Sequence, residues 1–236
     1  ASATSDLRRS ARGALVSISD HNEAVAELLR PDGIDLVSLA FHALDSPLAE
    51  RSDKCDAIAF LVNISNSDAA RDALRTTSNA LTKLHRLRFD RDRVVRRRAT
   101  MALANVGEAG SLPRDQLVEV LTFAESVMTD ATPEASLYEP LLSLRELVRD
   151  ARNRRVLAHE GLAQVLTDAL TVARYGPSGN TYESLKPEDM DARSARLAAE
   201  ALGELAADAG LRVESLLTTP ESRSQVWCEA QRRDEA

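Results

Sequence analysis

Aromatic residues are scarce in this sequence: they make up 3% of its 236 residues, whereas hydrophobic residues make up 44%. A core of this composition must be built mainly from alanine, leucine and valine, which suits closely packed helices better than a β-sandwich. Long apolar runs are absent too, because Arg, Asp or Glu interrupts every stretch that would otherwise span a bilayer. Composition therefore predicts an all-α protein without a membrane-spanning helix.

Cysteine and histidine are also scarce. The two cysteines, Cys55 and Cys228, lie far apart and belong to no CxxC or Cys/His cluster, and no two of the four histidines stand at i, i+4. The sequence contains no glycine-rich phosphate loop, no HExxH zinc motif and no nucleophile elbow. We therefore predict that the protein is not an enzyme and has no metal site, no cofactor and no small-molecule substrate. Unpaired cysteines also favour a reducing, intracellular compartment, with the cytoplasm preferred.

Basic residues are fewer than acidic residues, 30 against 37, which gives a formal net charge of −7 at pH 7. An acidic surface repels phosphate, so a general nucleic-acid binder is disfavoured. The exception is a basic patch at residues 85–98, in which Arg93, Arg96 and Arg97 share one face of a predicted helix. Such a patch can bind a phosphate, an acidic peptide or an RNA backbone, but exposed arginines are more often solvated or paired with neighbouring carboxylates. We rank solvated or structural arginines first, an acidic protein partner second and nucleic acid third.

What the sequence does contain is a repeated helix end. Ala99, Leu103 and Val106 fall at i, i+4 and i+7, on one helical face, and Gly107 follows as a typical left-handed stop. The same frame recurs at Ala11, Leu15, Ile18; Ala57, Leu61, Ile64; Pro140, Leu144, Leu147; and Ala198, Leu202, Leu205. Successive central leucines lie 46, 42, 41 and 58 residues apart. A period of about 42 residues is typical of armadillo and HEAT units and is longer than the roughly 34 residues of tetratricopeptide repeats.

Residues inside this frame carry a family resemblance. The segments ALVSIS, FLVNIS and ALANVG resemble the third-helix ending of armadillo repeats, in which an asparagine stands between two apolar core positions, and Asn63 and Asn105 hold that place. The stretch from Asp92 to Ala99 is more similar to HEAT repeats. The resemblance implies a right-handed α-solenoid of about five armadillo/HEAT-like repeats, formed by residues 1–236 as a single domain.

The resemblance also implies a binding groove. In armadillo proteins that bind nuclear-import peptides, the asparagine grips the peptide backbone, which suits an amide that both donates and accepts hydrogen bonds. Those proteins also carry a tryptophan four residues earlier, where this sequence has Ala59 and Met101. We keep Asn63, Asn105 and Met101 as candidate protein-binding residues, together with the three arginines of the basic patch. The alternative for both asparagines is a hydrogen bond between neighbouring repeats.

Helical patterns and turn signals place the other elements. They predict helices at residues 34–44, 68–74, 79–87, 113–128 and 191–207, with Asp90 or Asp92 capping the helix that ends before Gly107. Pro140 lacks a backbone donor and favours a kink. Turn-forming residues at about 175–191 predict a loop insertion, and residues 211–236 predict a helical C-terminal cap. The first predicted helix, residues 6–19, follows no partner helices, so the chain is either an excerpt of a longer array or has an end that another protein covers.

The function of such a chain lies in its surfaces. We predict a non-catalytic protein–protein interaction scaffold, a structural subunit of a larger assembly whose partners are other proteins. Two alternatives stay open: an armadillo adaptor that binds a peptide or cargo at Asn63 and Asn105, and an accessory protein that contacts RNA through residues 85–98. The sequence begins with ASATSD and no methionine, so the mitochondrion, after removal of a presequence, is the alternative to the cytoplasm.

Overall fold

The computed structural model describes residues 13–15, 25, 35–65, 67–129, 137–175 and 192–207. Every regular element among these residues is helical and no strand occurs there, which confirms the predicted all-α class. The chain divides into two compact units, Ala1–Val120 with Leu142–Leu147, and Leu121–Leu141 with Val148–Ala236. As predicted, none of the described helices is long and apolar enough to cross a membrane.

Ten helices have both of their ends within the described residues. They are α1 (Leu36–Asp45), α2 (Arg51–Ile64), α3 (Asp68–Thr76), α4 (Ala80–Leu87), α5 (Arg93–Val106), α6 (Arg114–Met128), α7 (Tyr138–Leu147), α8 (Ala151–His159), α9 (Leu162–Tyr175) and α10 (Ala192–Ala207). The helices predicted from periodicity correspond to α1, α3, α4, α6 and α10, with ends that agree within two residues. Of the predicted helix at 6–19 only residues 13–15 are described, and these are helical. Residues 176–191 of the predicted insertion and the predicted cap at 211–236 lie outside the described residues.

Helices α2 and α5 match each other in length and register. Each has 14 residues, and they begin 42 residues apart, at Arg51 and Arg93. The carboxylate of Asp92 caps α5 by accepting the backbone N–H of Val94 at 2.8 Å. Asp90 does not cap the helix; its carboxylate instead accepts the N–H of Asp92 at 2.8 Å. Asp92 is therefore the cap among the two predicted candidates.

The apolar frame of the repeated helix end is buried where the structure describes it in full. The central residues Leu61, Leu103 and Leu144 are all 0% exposed. The flanking positions Ala57, Ile64, Ala99, Val106 and Leu147 are at most 8% exposed, and Pro140 is buried. In α10, Ala198 and Leu205 are buried, whereas Leu202 is half-buried. In the first copy, Leu15 is half-buried, and Ala11 and Ile18 lie outside the described residues.

Pro140 lies in the first turn of its helix. Because α7 begins at Tyr138, a backbone N–H at position 140 would have no partner within the helix, and proline is tolerated there. Pro140 therefore removes no hydrogen bond from α7. The kink predicted for a proline inside the helix has no cause at this position.

Each unit is built from neighbouring helices. In the first unit, α2, α3 and α4 pack against α5, while α1 packs against α2 and α4. Helix α5 is therefore central to this unit, in agreement with its run of buried side chains from Ala99 to Val106. In the second unit, α8 packs against α9 and α9 against α10. Gly161, with φ +91°, makes the tight turn between α8 and α9.

We expect Gly107→Ala to lower the free energy of unfolding by about 1 kcal/mol, because Gly107 is left-handed with φ +80°. The N–H groups of Gly107 and Glu108 donate to the carbonyls of Ala104 and Leu103, each at 2.9 Å, which is the Schellman pattern. A Cβ at Gly107 would come no closer than 3.7 Å to Arg75, so the cost is backbone strain rather than a clash. Urea unfolding measures the effect.

Gly203→Ala is the matched control. Gly203 lies inside α10, and a Cβ there would meet nothing within 4 Å. Alanine has the higher helix propensity, so this substitution should be neutral or stabilise by up to about 1 kcal/mol. Equal losses at both positions would show that the left-handed conformation of Gly107 is not the source of the effect.

Candidate functional site

Asn105 of α5 joins three helices through buried hydrogen bonds. Its Nδ2 donates to Oγ of Ser65, directly after α2, at 2.9 Å, and its Oδ1 accepts from Oγ of Ser143 on α7 at 3.0 Å. The hydroxyl of Ser65 donates to the carbonyl of Val62. Ser65, Asn105 and Ser143, which we call the buried polar ladder, are at most 2% exposed. In this arrangement the amide of Asn105 uses both its donor and its acceptor inside the protein.

The other two candidate groove residues, Met101 and Asn63, differ in solvent exposure. Met101, one helical turn before Asn105, is 0% exposed. Asn63, at the equivalent position of α2, is half-buried. A side chain in the core cannot contact a peptide unless the helices around it separate. Of these three residues, only Asn63 reaches the surface.

The three candidate arginines share α5 but have different environments. Nε of Arg96 donates to the carboxylate of Glu119 on α6 at 3.1 Å, and Nη1 donates to the carbonyl of Asp90 at 2.9 Å. The hydrogen bond from Arg96 to Glu119 raises the pKa of the guanidinium above its usual value. Arg97 is half-buried and Arg93 is exposed. Arg96 is thus occupied within the protein, and Arg93 is the candidate that faces solvent.

Two arginines of α3 that the sequence patterns did not single out cap the end of α5. Arg71 donates to the carbonyl of Asn105 at 3.5 Å, and Arg75 donates to the carbonyl of Val106. The last carbonyls of a helix have no partner within it and lie at the negative end of the helix dipole. The only signal in the sequence is the i, i+4 spacing of Arg71 and Arg75, which places both on one face of α3.

Two loops at neighbouring helix corners form an open cleft. The first corner loop, residues 46–50, joins α1 to α2, and the second corner loop, residues 88–92, joins α4 to α5. The space between them measures about 330 Å³. We call it the corner cleft; its lining residues are Ala49, Arg51, Lys54, Asp90, Arg91, Asp92 and Val95.

Ion pairs and hydrogen bonds join the elements around the corner cleft. Arg51 of α2 pairs with Asp92 of the second corner loop. Asp45 at the end of α1 pairs with Lys83 and Arg86 of α4, at 2.6 and 2.7 Å. Arg98 of α5 donates to the carbonyl of Cys55 in α2 at 3.2 Å. Arg86, Arg96 and Arg98 of the 85–98 patch therefore have partners inside the protein, which supports the structural role ranked first for these three arginines.

We expect the stabilising effect of the Asp92 carboxylate to depend on pH. The hydrogen bond from Arg51 holds the pKa of Asp92 below its usual value, and the N–H of Val94 adds to this. Because the pKa is lower in the folded state, the carboxylate stabilises the fold above its unfolded pKa of about 3.9, and this contribution is lost as the pH falls through the folded value. The wild type should be more stable than Asp92→Asn at neutral pH, and the difference should shrink as the pH falls below the unfolded pKa and disappear once the carboxylate is protonated in the folded state.

Thermal unfolding of the two proteins across this pH range measures that difference directly. Asparagine keeps the ability to cap α5, so the comparison isolates the charge. A stability difference that stays constant with pH would show that Arg51 and Asp92 do not form an ion pair in solution.

Cys55 and His85 are two titratable side chains of the first unit whose pKa values are shifted. Burial, followed by the nearby Asp92 carboxylate, raises the pKa of the Cys55 thiol, so little of it is the nucleophilic thiolate at neutral pH. Burial and then Arg88 lower the pKa of His85, against the opposing effect of Glu108. Within the described ranges, no three His, Cys, Asp or Glu residues are grouped so that they could hold a metal ion.

No family model matches this sequence, and no curated protein or solved structure matches it either. No function is therefore carried over to this chain from a relative.

Proposed function

We propose that this protein is a non-catalytic helical scaffold of armadillo/HEAT-like repeats that binds other proteins as a structural subunit of a larger assembly. The observation that supports this most strongly is the sequence spacing of its contacts. Among the described residues of the first unit, six side-chain contacts join residues that lie 38 to 43 positions apart. They are Asp45 with Lys83, Asp45 with Arg86, Arg51 with Asp92, Cys55 with Arg98, Ser65 with Asn105, and Asn105 with Ser143.

This spacing is what stacked repeats require. In a solenoid each repeat contacts only its neighbours, so contacts between equivalent helices accumulate at one period. The period given by the contacts agrees with the 42 residues between the starts of α2 and α5. In the proposed right-handed solenoid of about five repeats, the helix ends of α7 and α10 continue the same series.

The distribution of buried side chains favours a scaffold over a peptide adaptor. Asn105 and Met101 are buried, which leaves Asn63 as the only candidate groove residue at the surface. An extended peptide backbone carries polar groups at every residue, and the amide of one exposed asparagine can pair with only a few of them. The exposed loops and helix faces therefore remain as binding surfaces. They suit partners that stay attached at defined positions.

Deletion of one period tests the proposed architecture. We expect a chain without residues 51–92 to fold cooperatively, because the deletion places α5 after the first corner loop, where α2 begins in the intact chain. A chain without residues 51–71 lacks half a period and should lose cooperative unfolding. In that chain the apolar face of a helix no longer packs against the apolar face of the neighbouring helix. Circular dichroism melts distinguish the two. Unfolding of both chains to the same extent would contradict the repeat architecture.

Native mass spectrometry with mapped crosslinks tests the proposed function. The full chain, tagged and purified from its own cells, should be found in one assembly of fixed composition with crosslinks to constant positions. A peptide adaptor would instead carry many clients in low amounts and would lose them on Asn63→Ala, which leaves the core intact. A chain recovered only as a monomer would contradict both functions.

A further inference from the structure

The corner cleft carries cations that are not neutralised within the protein. Arg51 and Asp92 pair with each other, and Asp90 accepts the N–H of Asp92. Lys54 and Arg91 also line the cleft, and neither has an ion pair in the part of the chain that the structure describes. The charges of the Arg51 and Asp92 pair cancel. The remaining charged groups of the cleft are the cations of Lys54 and Arg91 and the carboxylate of Asp90. The cleft therefore has a positive surplus in a chain whose net charge is −7.

Two further cations lie close in sequence to the lining residues Arg91 and Asp92. Arg88 of the second corner loop and Arg93 at the start of α5 likewise have no ion pair among the described residues. The guanidinium of Arg88 lies over the ring of Phe89, 5.2 Å from its centroid. A carboxylate bound in the cleft would thus be attracted by Lys54 and Arg91 and, at longer range, by Arg88 and Arg93.

Each corner loop also exposes one large apolar side chain. Leu48 of the first corner loop is 91% exposed and Phe89 of the second is 67% exposed, the two highest values among large apolar residues in the described ranges. Burying a leucine or phenylalanine side chain contributes to binding because its apolar surface leaves water. Leu48 directly precedes Ala49, and Phe89 directly precedes Asp90, both of which line the cleft. Apolar surface therefore lies in both corner loops, and the second of them also carries the unpaired cations Arg88 and Arg91.

We propose that the corner cleft is the docking site for an extended acidic segment of a partner protein, which rests on the proposed scaffold function. Carboxylates of the segment bind Lys54 and Arg91, and a large apolar side chain of the segment packs against Leu48 or Phe89. Lysine and arginine form charge-assisted hydrogen bonds with carboxylates, and the fork of arginine can bind both oxygens. Charge complementarity also favours the encounter, because Arg91 is exposed and Lys54 is only half-buried.

The composition of the cleft favours a peptide over nucleic acid. Asp90 and Asp92 lie on its wall, and Glu50 ends the first corner loop. A phosphate backbone carries a charge at every nucleotide and would meet these carboxylates, whereas a peptide can place acidic residues only where cations stand. Single-stranded nucleic acid also binds to rows of aromatic side chains, and Phe89 is the one aromatic residue in the two corner loops.

Selection of peptides from a random phage-displayed library on the full-length chain tests the proposal. We expect enriched peptides to share acidic residues next to a large apolar residue. Their affinity, measured by fluorescence anisotropy of the labelled peptides, should fall at least about tenfold for Lys54→Glu/Arg91→Glu. The double variant Arg152→Glu/Arg155→Glu is the control, since it makes the same charge change at exposed positions of α8 and should bind normally.

Other outcomes would overturn the docking site. These are no enrichment, enriched peptides without carboxylates, or peptides that bind Lys54→Glu/Arg91→Glu as well as the wild type. Competition by polyuridylic acid with a steep salt dependence would assign the cleft to RNA. Dimerisation of the wild type that the same variant abolishes, seen by sedimentation velocity, would assign it to a second copy of this chain. If the charge-reversal variant does not fold, Lys54→Gln/Arg91→Gln replaces it.

The two proposals can fail separately. If Lys54→Glu/Arg91→Glu still enters the native assembly with all its crosslinks, the cleft is not the docking site while the scaffold function stands. If the wild type enters no assembly at all, the scaffold function itself is wrong.

Discussion

Asn105→Ala is expected to lower the free energy of unfolding by about 3 kcal/mol. The substitution removes the acceptor of the Ser143 hydroxyl and the donor to the Ser65 hydroxyl, and both hydroxyls stay buried at 0% exposure. A buried polar group left without its partner costs about 1 to 3 kcal/mol, and the volume of the missing amide adds to that loss. Urea unfolding followed by circular dichroism measures the change.

Two further variants test whether the buried polar ladder is the cause. Asn63→Ala removes the same side chain at the equivalent but half-buried position of α2 and should cost less than about 1 kcal/mol. The triple variant Ser65→Ala, Asn105→Leu, Ser143→Ala removes all members of the ladder together and should regain much of the stability, because neither serine hydroxyl is then left buried without its asparagine partner. An Asn105→Ala protein as stable as Asn63→Ala would contradict the buried ladder.

The part of the fold that could be predicted from the sequence is the part set by local pattern. The i, i+4, i+7 frame of Ala99, Leu103 and Val106 is a property of one helix, and all three residues are buried as that pattern predicts. The left-handed stop at Gly107 is equally local. Leu202 stands in the same frame and is only half-buried, because the frame shows which residues share a face and not how far the neighbouring helix covers that face.

The polar contacts could not be predicted in the same way. Asparagine at position 105 indicated either a peptide-binding residue or a contact between repeats, and the choice depends on Ser65 and Ser143, which lie 40 and 38 residues away. The partner of Arg96, Glu119, lies 23 residues away on another helix. Such pairs are fixed by the packing of helices that are distant in sequence. Residue type and spacing within one helix therefore do not predict which residue is the partner.

The exposed apolar side chains of the corner loops could not be predicted from the sequence either. Hydropathy patterns treat a leucine or a phenylalanine as a candidate for the core, and Leu48 and Phe89 carry no local signal that they are exposed. Their exposure follows from loops that leave the helices just before these residues. The basic patch at 85–98 includes Arg91 of the proposed docking site, but three of its arginines have partners inside the protein. Lys54, which lines the cleft, lies outside the patch.

Leu61→Ala and Leu103→Ala are each expected to lower the free energy of unfolding by about 3 to 4 kcal/mol. Both leucines are 0% exposed and are the central residues of α2 and α5, so each substitution removes buried methyl groups and leaves a cavity. If the two helices hold equivalent places in adjacent repeats, the losses should agree within about 1 kcal/mol, because the surroundings are equivalent. Hydrogen exchange followed by mass spectrometry measures both losses and separates the two units of the chain.

Leu202→Ala is the comparison that separates the effect of burial from the effect of position in the repeat. Leu202 holds the central position of the frame in α10 but is half-buried, so part of its surface is already in water and the loss should be about 1 to 2 kcal/mol. The repeat frame and the burial of the side chain thus make different predictions at this position. A loss at Leu202 as large as that at Leu103 would mean that α10 is covered as completely as α5 in solution, whereas a smaller loss would show that burial, rather than place in the repeat, determines the cost.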